Sequence, residues 1–93
     1  MKLRWTPRAV ADLEEISDYL IVASPRAWEQ LLERLGHLTD LLLDFPLMGK
    51  PGIVPETREF VLTGTPYVLV FQIKDDTVII VSVRNGRMRL PPR

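Results

Sequence analysis

Between residues 58 and 87 the apolar positions fall into three short runs separated by turn formers, REFVLTGTPYVLVFQIKDDTVIIVSVRNGR. Residues 60–62 predict a first strand and Thr63-Gly64-Thr65-Pro66 a turn. Tyr67–Lys74 predicts a second strand, Asp75-Asp76 a second turn, and residues 77–83 a third strand. The run YVLVFQI is apolar on both faces and rich in β-branched and aromatic residues, as a central strand requires. Two acidic residues between such runs make a tight hairpin the simplest link, although Asp-Asp is a weaker turn signal than Asp-Gly and leaves room for a loop one or two residues longer.

Upstream the period changes from two to that of a helix. Lys2–Trp5 is short and apolar at alternate positions (Leu3, Trp5), which predicts a first strand joining the sheet. Thr6-Pro7 is a helix start, with Thr as N-cap and Pro where its missing N–H is harmless. Trp5 and Val10 stand at the two positions of a hydrophobic staple. Val10, Leu13, Ile16 and Leu20 then recur at helical spacing, with Asp12, Glu14, Glu15 and Asp18 elsewhere on the cylinder. Ser24-Pro25 repeats the start signal. The second helix carries Leu31, Leu35, Leu38 and Leu42 on one stripe and should stop at Asp44 or Phe45, because Pro46 disfavours α geometry before it. So short a joint predicts an antiparallel helix hairpin. Residues 46–56, with three prolines and two glycines, predict a loop from helix to sheet. The expected fold is α+β: a short N-terminal strand and a helical hairpin packed on one face of an antiparallel sheet of three to four strands, in one domain spanning residues 1–93.

Side chains alternate across a strand, so these turns sort the sheet into two faces. One collects Phe60, Leu62, Tyr67, Leu69, Phe71, Ile73, Val78 and Ile80, a bed of large residues for the hairpin. The other collects Glu59, Val61, Val68, Val70, Gln72, Ile79, Val81 and Val83. Two helices cover only one face. Unless the proline-rich loop or the C-terminal tail folds over the valine face, it stays open as an apolar interaction surface.

Composition narrows the chemistry. With 46% hydrophobic residues and 93 residues in all, the chain is an ordinary globule with a modest core. No apolar run approaches a membrane span, and the N-terminus lacks the apolar core of a signal peptide, so no membrane partner and a cytoplasmic location are expected. The absence of Cys and the single His37 exclude thiol catalysis and a His/Cys zinc site, and no metal or other cofactor is expected. Ser17, Ser24 and Ser82 have no triad around them with one His available, and His37 is read as a surface or boundary residue on a helix. Net charge is zero, but residues 1–45 hold five Lys/Arg against eight Asp/Glu and residues 46–93 hold seven against four, hence −3 and +3. After Asp76 there are no acids, while Arg84, Arg87, Arg89 and Arg93 follow, a pattern that suits an anionic partner for the tail or simply a solubilised chain end.

The order of strand, hairpin, loop and sheet resembles the RelE/ParE family of type II toxins over nearly the whole chain. The residues that carry the resemblance are Pro46-Leu47-Met48-Gly49-Lys50-Pro51-Gly52, Thr57-Arg58-Glu59, Gly64-Thr65-Pro66-Tyr67 and Asn85-Gly86-Arg87. It implies a toxin neutralised by a cognate antitoxin that wraps it with an extended, partly helical segment. The pair would repress its own operon, so operator DNA is met only indirectly, through the antitoxin. One branch of the family cleaves mRNA on the ribosome, and the other blocks DNA gyrase without chemistry of its own.

The resemblance places basic residues of the ribonuclease branch at positions aligned with Glu59, Val61 and Val68, followed by an Arg after the last strand and a Tyr or His near the C-terminus. Metal-free RNA cleavage needs groups that activate the 2′-hydroxyl, stabilise the phosphorane and protonate the leaving oxygen. An acid and two valines cannot do this, and the two tyrosines, Tyr19 and Tyr67, are not in the tail. No catalytic residue is therefore assigned, and the gyrase-binding branch is preferred. Asn85-Gly86 stands where many relatives have His-Gly, and Arg89-Leu90 where they have an acidic or aromatic residue. The expected target surface is Arg84, Asn85, Arg87 and Arg89, since the planar guanidinium pairs with carboxylate or phosphate. The expected antitoxin surface is Val61, Val68, Val70, Ile79, Val81 and Val83. Arg58 is expected to be structural, with its stem beside Phe71 or its charge on a helix acid. Two alternatives stand beside this reading: a ribosome-dependent endoribonuclease, and a non-toxic relative that retains only antitoxin binding.

Overall fold

A computed structural model of the chain describes residues 1–87. The strand β1 (Lys2–Trp5) leads into α1 (Pro7–Ala23) and α2 (Pro25–Asp44), and then into β2 (Lys50–Pro51), β3 (Arg58–Val61), β4 (Tyr67–Lys74) and β5 (Thr77–Asn85). Both helices start where the Thr-Pro and Ser-Pro pairs predict. The Thr6 hydroxyl accepts from the Ala9 N–H at 3.1 Å, and the Ser24 hydroxyl from the Ala27 N–H at 3.2 Å. Ser24 also ends α1, its own N–H donating to the Leu20 carbonyl at 2.8 Å, so one residue serves as the whole joint of the hairpin. At the far end Phe45 caps α2 and Pro46 forbids a further turn.

The sheet has five strands in the order β1-β5-β4-β3-β2. The antiparallel core of β3, β4 and β5 is as expected, and Lys74 pairs with Thr77 across a two-residue turn. Asp75 adopts the left-handed conformation there (φ 55°), which a short polar side chain tolerates, and this is how Asp-Asp closes the tight link. Two features lie outside the sequence reading. First, β1 joins parallel to β5, Leu3 opposite Val78 and Trp5 opposite Ile80, because the hairpin that follows it crosses the sheet. Second, two residues of the proline-rich loop form β2, Lys50 opposite Glu59 and Pro51 opposite Arg58.

The helices bury their stripes on a single face. Ala9, Leu20, Leu31, Leu35, Leu38 and Leu42 meet Leu62, Tyr67, Leu69, Phe71, Val78 and Ile80, with Leu31, Leu42, Leu69, Phe71 and Ile80 completely enclosed. Full burial of each such side chain stabilises by about 1.5–3 kcal/mol, so this layer holds the fold together. Beyond Ile80, β1 has ended and the outer edge of β5 would lie bare. The start of α1 covers it instead: Thr6 N–H donates to Ile80 O (3.0 Å), the Thr6 hydroxyl to Val81 O (3.0 Å), and Asp12 accepts from Val83 N–H (3.1 Å).

One irregularity decides which residues reach the other face. Val70 pairs with Ser82 but Phe71 pairs with Ile80, so Val81 is an extra residue in β5. Such a bulge shifts the alternation by one for everything after it. Ser82 and Arg84 consequently share the face of Val70 and Val68, whereas Val83 turns inward and is only 3% exposed in the core. The assignment of Val83 to the open face is corrected: strict period-two counting across the bulge put it on the wrong side.

Candidate functional site

The sheet face turned away from the helices presents Val61, Val68 and Arg84 in one row, and Lys50, Glu59, Val70 and Ser82 in the next. Gln72, Ile79 and Arg4 follow, and Lys74, Thr77 and Lys2 close the far end. The apolar middle is thus ringed by Lys2, Arg4, Lys50, Lys74 and Arg84, with Glu59 the one acid among the described strand residues of this face. The charge pattern along the chain concealed this ring, because its members come from four different strands.

The face is not open in its centre, contrary to the expectation from two helices. Val68 and Val70 are 7% and 6% exposed, Ile79 and Val81 are half-buried, and only Val61, at 51%, is freely reached. Arg84, opposite Val68, extends to Glu59, opposite Val70, and the two form an ion pair at 2.6 Å with side chains 24% and 6% exposed. The second carboxylate oxygen of Glu59 accepts the Ile53 N–H at 3.0 Å, which pulls the proline-rich loop onto the same face. The loop's backbone is therefore anchored to this face through Glu59. Both oxygens of Glu59 are engaged, one by a guanidinium and the other by a backbone amide, and among the described residues no His or Tyr stands on this face beside it.

The motifs that carried the resemblance are largely devices that hold loops in place. Arg58 stands opposite Phe71, and its guanidinium donates to the carbonyls of Leu47 (2.8 Å), Gly49 (3.3 Å) and Met48 (3.4 Å). It is structural as expected, with backbone oxygens as its partners in place of a helix acid. Gly49, at φ 87°, lies so close to the Glu59 carbonyl that a Cβ would collide with it. Thr65 folds its own turn, donating to Leu62 O (2.7 Å) and accepting from Tyr67 N–H (3.1 Å). The Gly86 N–H donates to the Pro66 carbonyl at 2.7 Å and its bare Cα abuts Val68. Asn85 accepts the Arg87 N–H at 2.9 Å through its side chain, an Asx-type turn that presents Arg87 to solvent.

The four expected target residues are accordingly divided. Arg84 lies on the second face in its ion pair, while Asn85, opposite Tyr67, belongs to the helix side. Arg87 is exposed just beyond, and Arg89 lies outside the described residues. On the helix side a cavity of about 460 Å³ opens between α1 and the ends of β4 and β5, lined by Arg8, Asp12, Tyr19, Tyr67, Arg84 and Asn85 among others. Withdrawal from water, and then the neighbouring Tyr19 phenol, push the Tyr67 phenol above its ordinary value of 10.0. That neutral phenol is no general base near neutral pH. Sequence reasoning placed neither tyrosine there, because the juxtaposition needs α1 laid against β5.

Two helices packed on one face of a five-stranded sheet are the architecture that this chain shares with solved ParE/RelE-type toxins. The family model "ParE toxin of type II toxin-antitoxin system, parDE" matches residues 3–90, and the chain belongs to that family. It is 36% identical over 90 residues to the putative toxin Y4kP of Sinorhizobium fredii, covering 97% of this chain and 93% of that protein. It is 35% identical over 82 residues to toxin RelE2 of Caulobacter vibrioides, covering 88% and 91% respectively. Among solved structures, the chromosomal ParDE system of P. aeruginosa superposes with a TM-score of 0.75 at 26% identity, over 91% of this chain and 95% of that one. The intact E. coli RelBE complex shares the fold at a TM-score of 0.58 and 24% identity, over 88% and 92%. Among the described residues no helix is long and apolar enough to cross a membrane.

Proposed function

We propose that this toxin acts by binding and blocking DNA gyrase, without chemistry of its own, and that a cognate cytoplasmic antitoxin neutralises it. The observation that supports this reading most is the Glu59–Arg84 pair at 2.6 Å. It occupies the position where ribonuclease relatives are expected to hold a free cation, and it consumes the one carboxylate among the described strand residues of the face. A group locked between a guanidinium and an amide N–H is poorly placed to exchange a proton with a 2′-hydroxyl. The antitoxin covers the second face, meeting Val61 and the half-buried Ile79 and Val81 over the buried Val68 and Val70, with the cationic ring at its margin. The Asn85–Arg87 turn, with Arg89 beyond it, contacts the target, and Arg84 contributes by holding the turn's approach to Val68.

The ring of Lys2, Arg4, Lys50 and Lys74 favours a second reading, in which the same face grips the RNA backbone. One experiment separates the two: supercoiling by purified gyrase with the toxin titrated in, and mRNA integrity on translating ribosomes in parallel. Lost supercoiling with intact mRNA is expected. Unimpaired gyrase with cut mRNA would transfer the protein to the ribonuclease branch, and neither effect would leave an antitoxin-binding relative without toxicity.

A further inference from the structure

The cleft between α1 and the ends of β4 and β5 gathers polar groups that the fold leaves without partners. Its volume, about 460 Å³, lies in the range of small-molecule sites. Tyr67 is the telling member. The residue is 8% exposed, yet its hydroxyl meets no hydrogen-bonding partner among the described residues and is not sealed from the cleft. A largely buried polar group in that state calls for water or a ligand.

The lining changes in character from one end to the other. Asn85 stands directly opposite Tyr67 in the sheet, so the two side chains are neighbours. The Asn85 side-chain oxygen accepts the Arg87 N–H, which turns the amide so that its Nδ2 hydrogens remain to donate. The Tyr19 ring, 66% exposed, adds an aromatic surface at this end. Further along, Asp12 gives one oxygen to the Val83 N–H and keeps the other, and Glu15 is exposed beside it. Arg8 closes the far end and forms no ion pair with a described residue. Arg8 and Tyr19 lie about three turns of α1 apart, roughly 16 Å. A lone base or a lone phosphate cannot bridge them, whereas a base, a sugar and a phosphate in series can.

We propose that this cleft binds a free purine ribonucleoside 5′-monophosphate. The base stacks on Tyr19, and its N7 accepts from Asn85 Nδ2. The Tyr67 hydroxyl, able both to donate and to accept, meets O6 of guanine or the N6 amino group of adenine. Asp12 and Glu15 accept from the ribose hydroxyls, and Arg8 pairs with the phosphate. A pyrimidine offers a smaller ring and no N7. The site stands on the toxin alone and is independent of which target the toxin meets.

Calorimetry on the intact toxin tests this with AMP, GMP, CMP, adenosine, 2′-deoxy-AMP and inorganic phosphate. AMP and GMP should bind saturably, and CMP at least about fivefold more weakly. Removing the ribose 2′-hydroxyl should weaken AMP by at least about threefold. Tyr19→Ala should weaken it by at least about fivefold, the loss of one base–aromatic stack. Arg8→Gln should bring AMP down to the level of adenosine while leaving adenosine itself unchanged. Both positions are exposed, so neither change disturbs the core. CMP or 2′-deoxy-AMP binding as tightly as AMP, inorganic phosphate displacing AMP at equal concentration, or an AMP affinity unchanged in both variants would overturn the proposal. So would the lack of saturable binding by either purine nucleotide. A short purine RNA that binds where both mononucleotides fail would assign the cleft to nucleic acid and overturn it as well.

Discussion

The sheet face beneath the helices and the face turned away from them draw on the same strands, yet they are built by different rules. Beneath the helices, Leu69, Phe71, Val78 and Ile80 are enclosed by side chains from α1 and α2, and nothing polar is needed. On the other face Val68 and Val70 are also buried, but their cross-strand partners Arg84 and Glu59 form an ion pair, and Glu59 also holds the Ile53 N–H. Core packing is insensitive to salt and to single hydrogen bonds. A polar clasp fails when one member is lost, because the remaining charge has no partner. A face closed in this way can be reshaped by a partner at lower cost than a packed core.

Substitutions that exploit this difference rank by which face they strike. Val83→Asp should be the most damaging: it places a carboxylate in the core, and several kcal/mol of stability should vanish in urea unfolding. Val61→Asp, the same chemistry on the exposed row, should change stability by no more than about 0.5 kcal/mol. If the two prove equally harmful, the bulge at Val81 does not divide the faces as described. Glu59→Ala should cost about 2–3 kcal/mol by leaving Arg84 and the Ile53 N–H without their acceptor, somewhat below a fully buried pair because Arg84 reaches water. Glu59→Gln, which can still accept from Ile53, should cost less, and loss of the gap between the two would remove the clasp from the account.

The smallest effect is a pH effect. Tyr67 is raised above 10.0 in the folded chain, so its neutral form is favoured by folding. That contribution is present below the unfolded value and disappears as pH rises through the folded one. Thermal unfolding above pH 10 should therefore be less alkali-sensitive in Tyr67→Phe than in wild type. Unchanged alkaline sensitivity in that variant would relocate the effect to another group.

Much of this architecture is legible in the sequence because it is encoded locally. Thr6-Pro7 and Ser24-Pro25 start helices by chemistry confined to a few residues, and the large alternating residues up to Ile80 declare which face is buried. What escapes is whatever depends on one extra residue or on distant partners. Nothing in TVIIVSV marks Val81 as the bulged position, yet that single residue sends Val83 inward and brings Arg84 to Glu59. The strand at Lys50–Pro51 hides in loop composition because its pairing is set by β3. The candidate site suffered most for the same reason. Arg84, Asn85 and Arg87 are near neighbours in the chain, but one is tied across the sheet, one shapes a turn and one faces solvent.

The central claim is a division of labour, in which the second face holds the antitoxin and the Asn85–Arg87 turn with Arg89 meets the target. Antitoxin affinity, measured by calorimetry on wild type, Val61→Asp and the double variant Arg87→Ala/Arg89→Ala, tests it most directly. Val61→Asp should weaken the complex by at least about tenfold, as expected for a charge set into an apolar contact. The double variant should bind the antitoxin nearly as wild type does while losing its toxicity. Equal loss of antitoxin affinity in both, or loss in the arginine variant alone, would contradict the account.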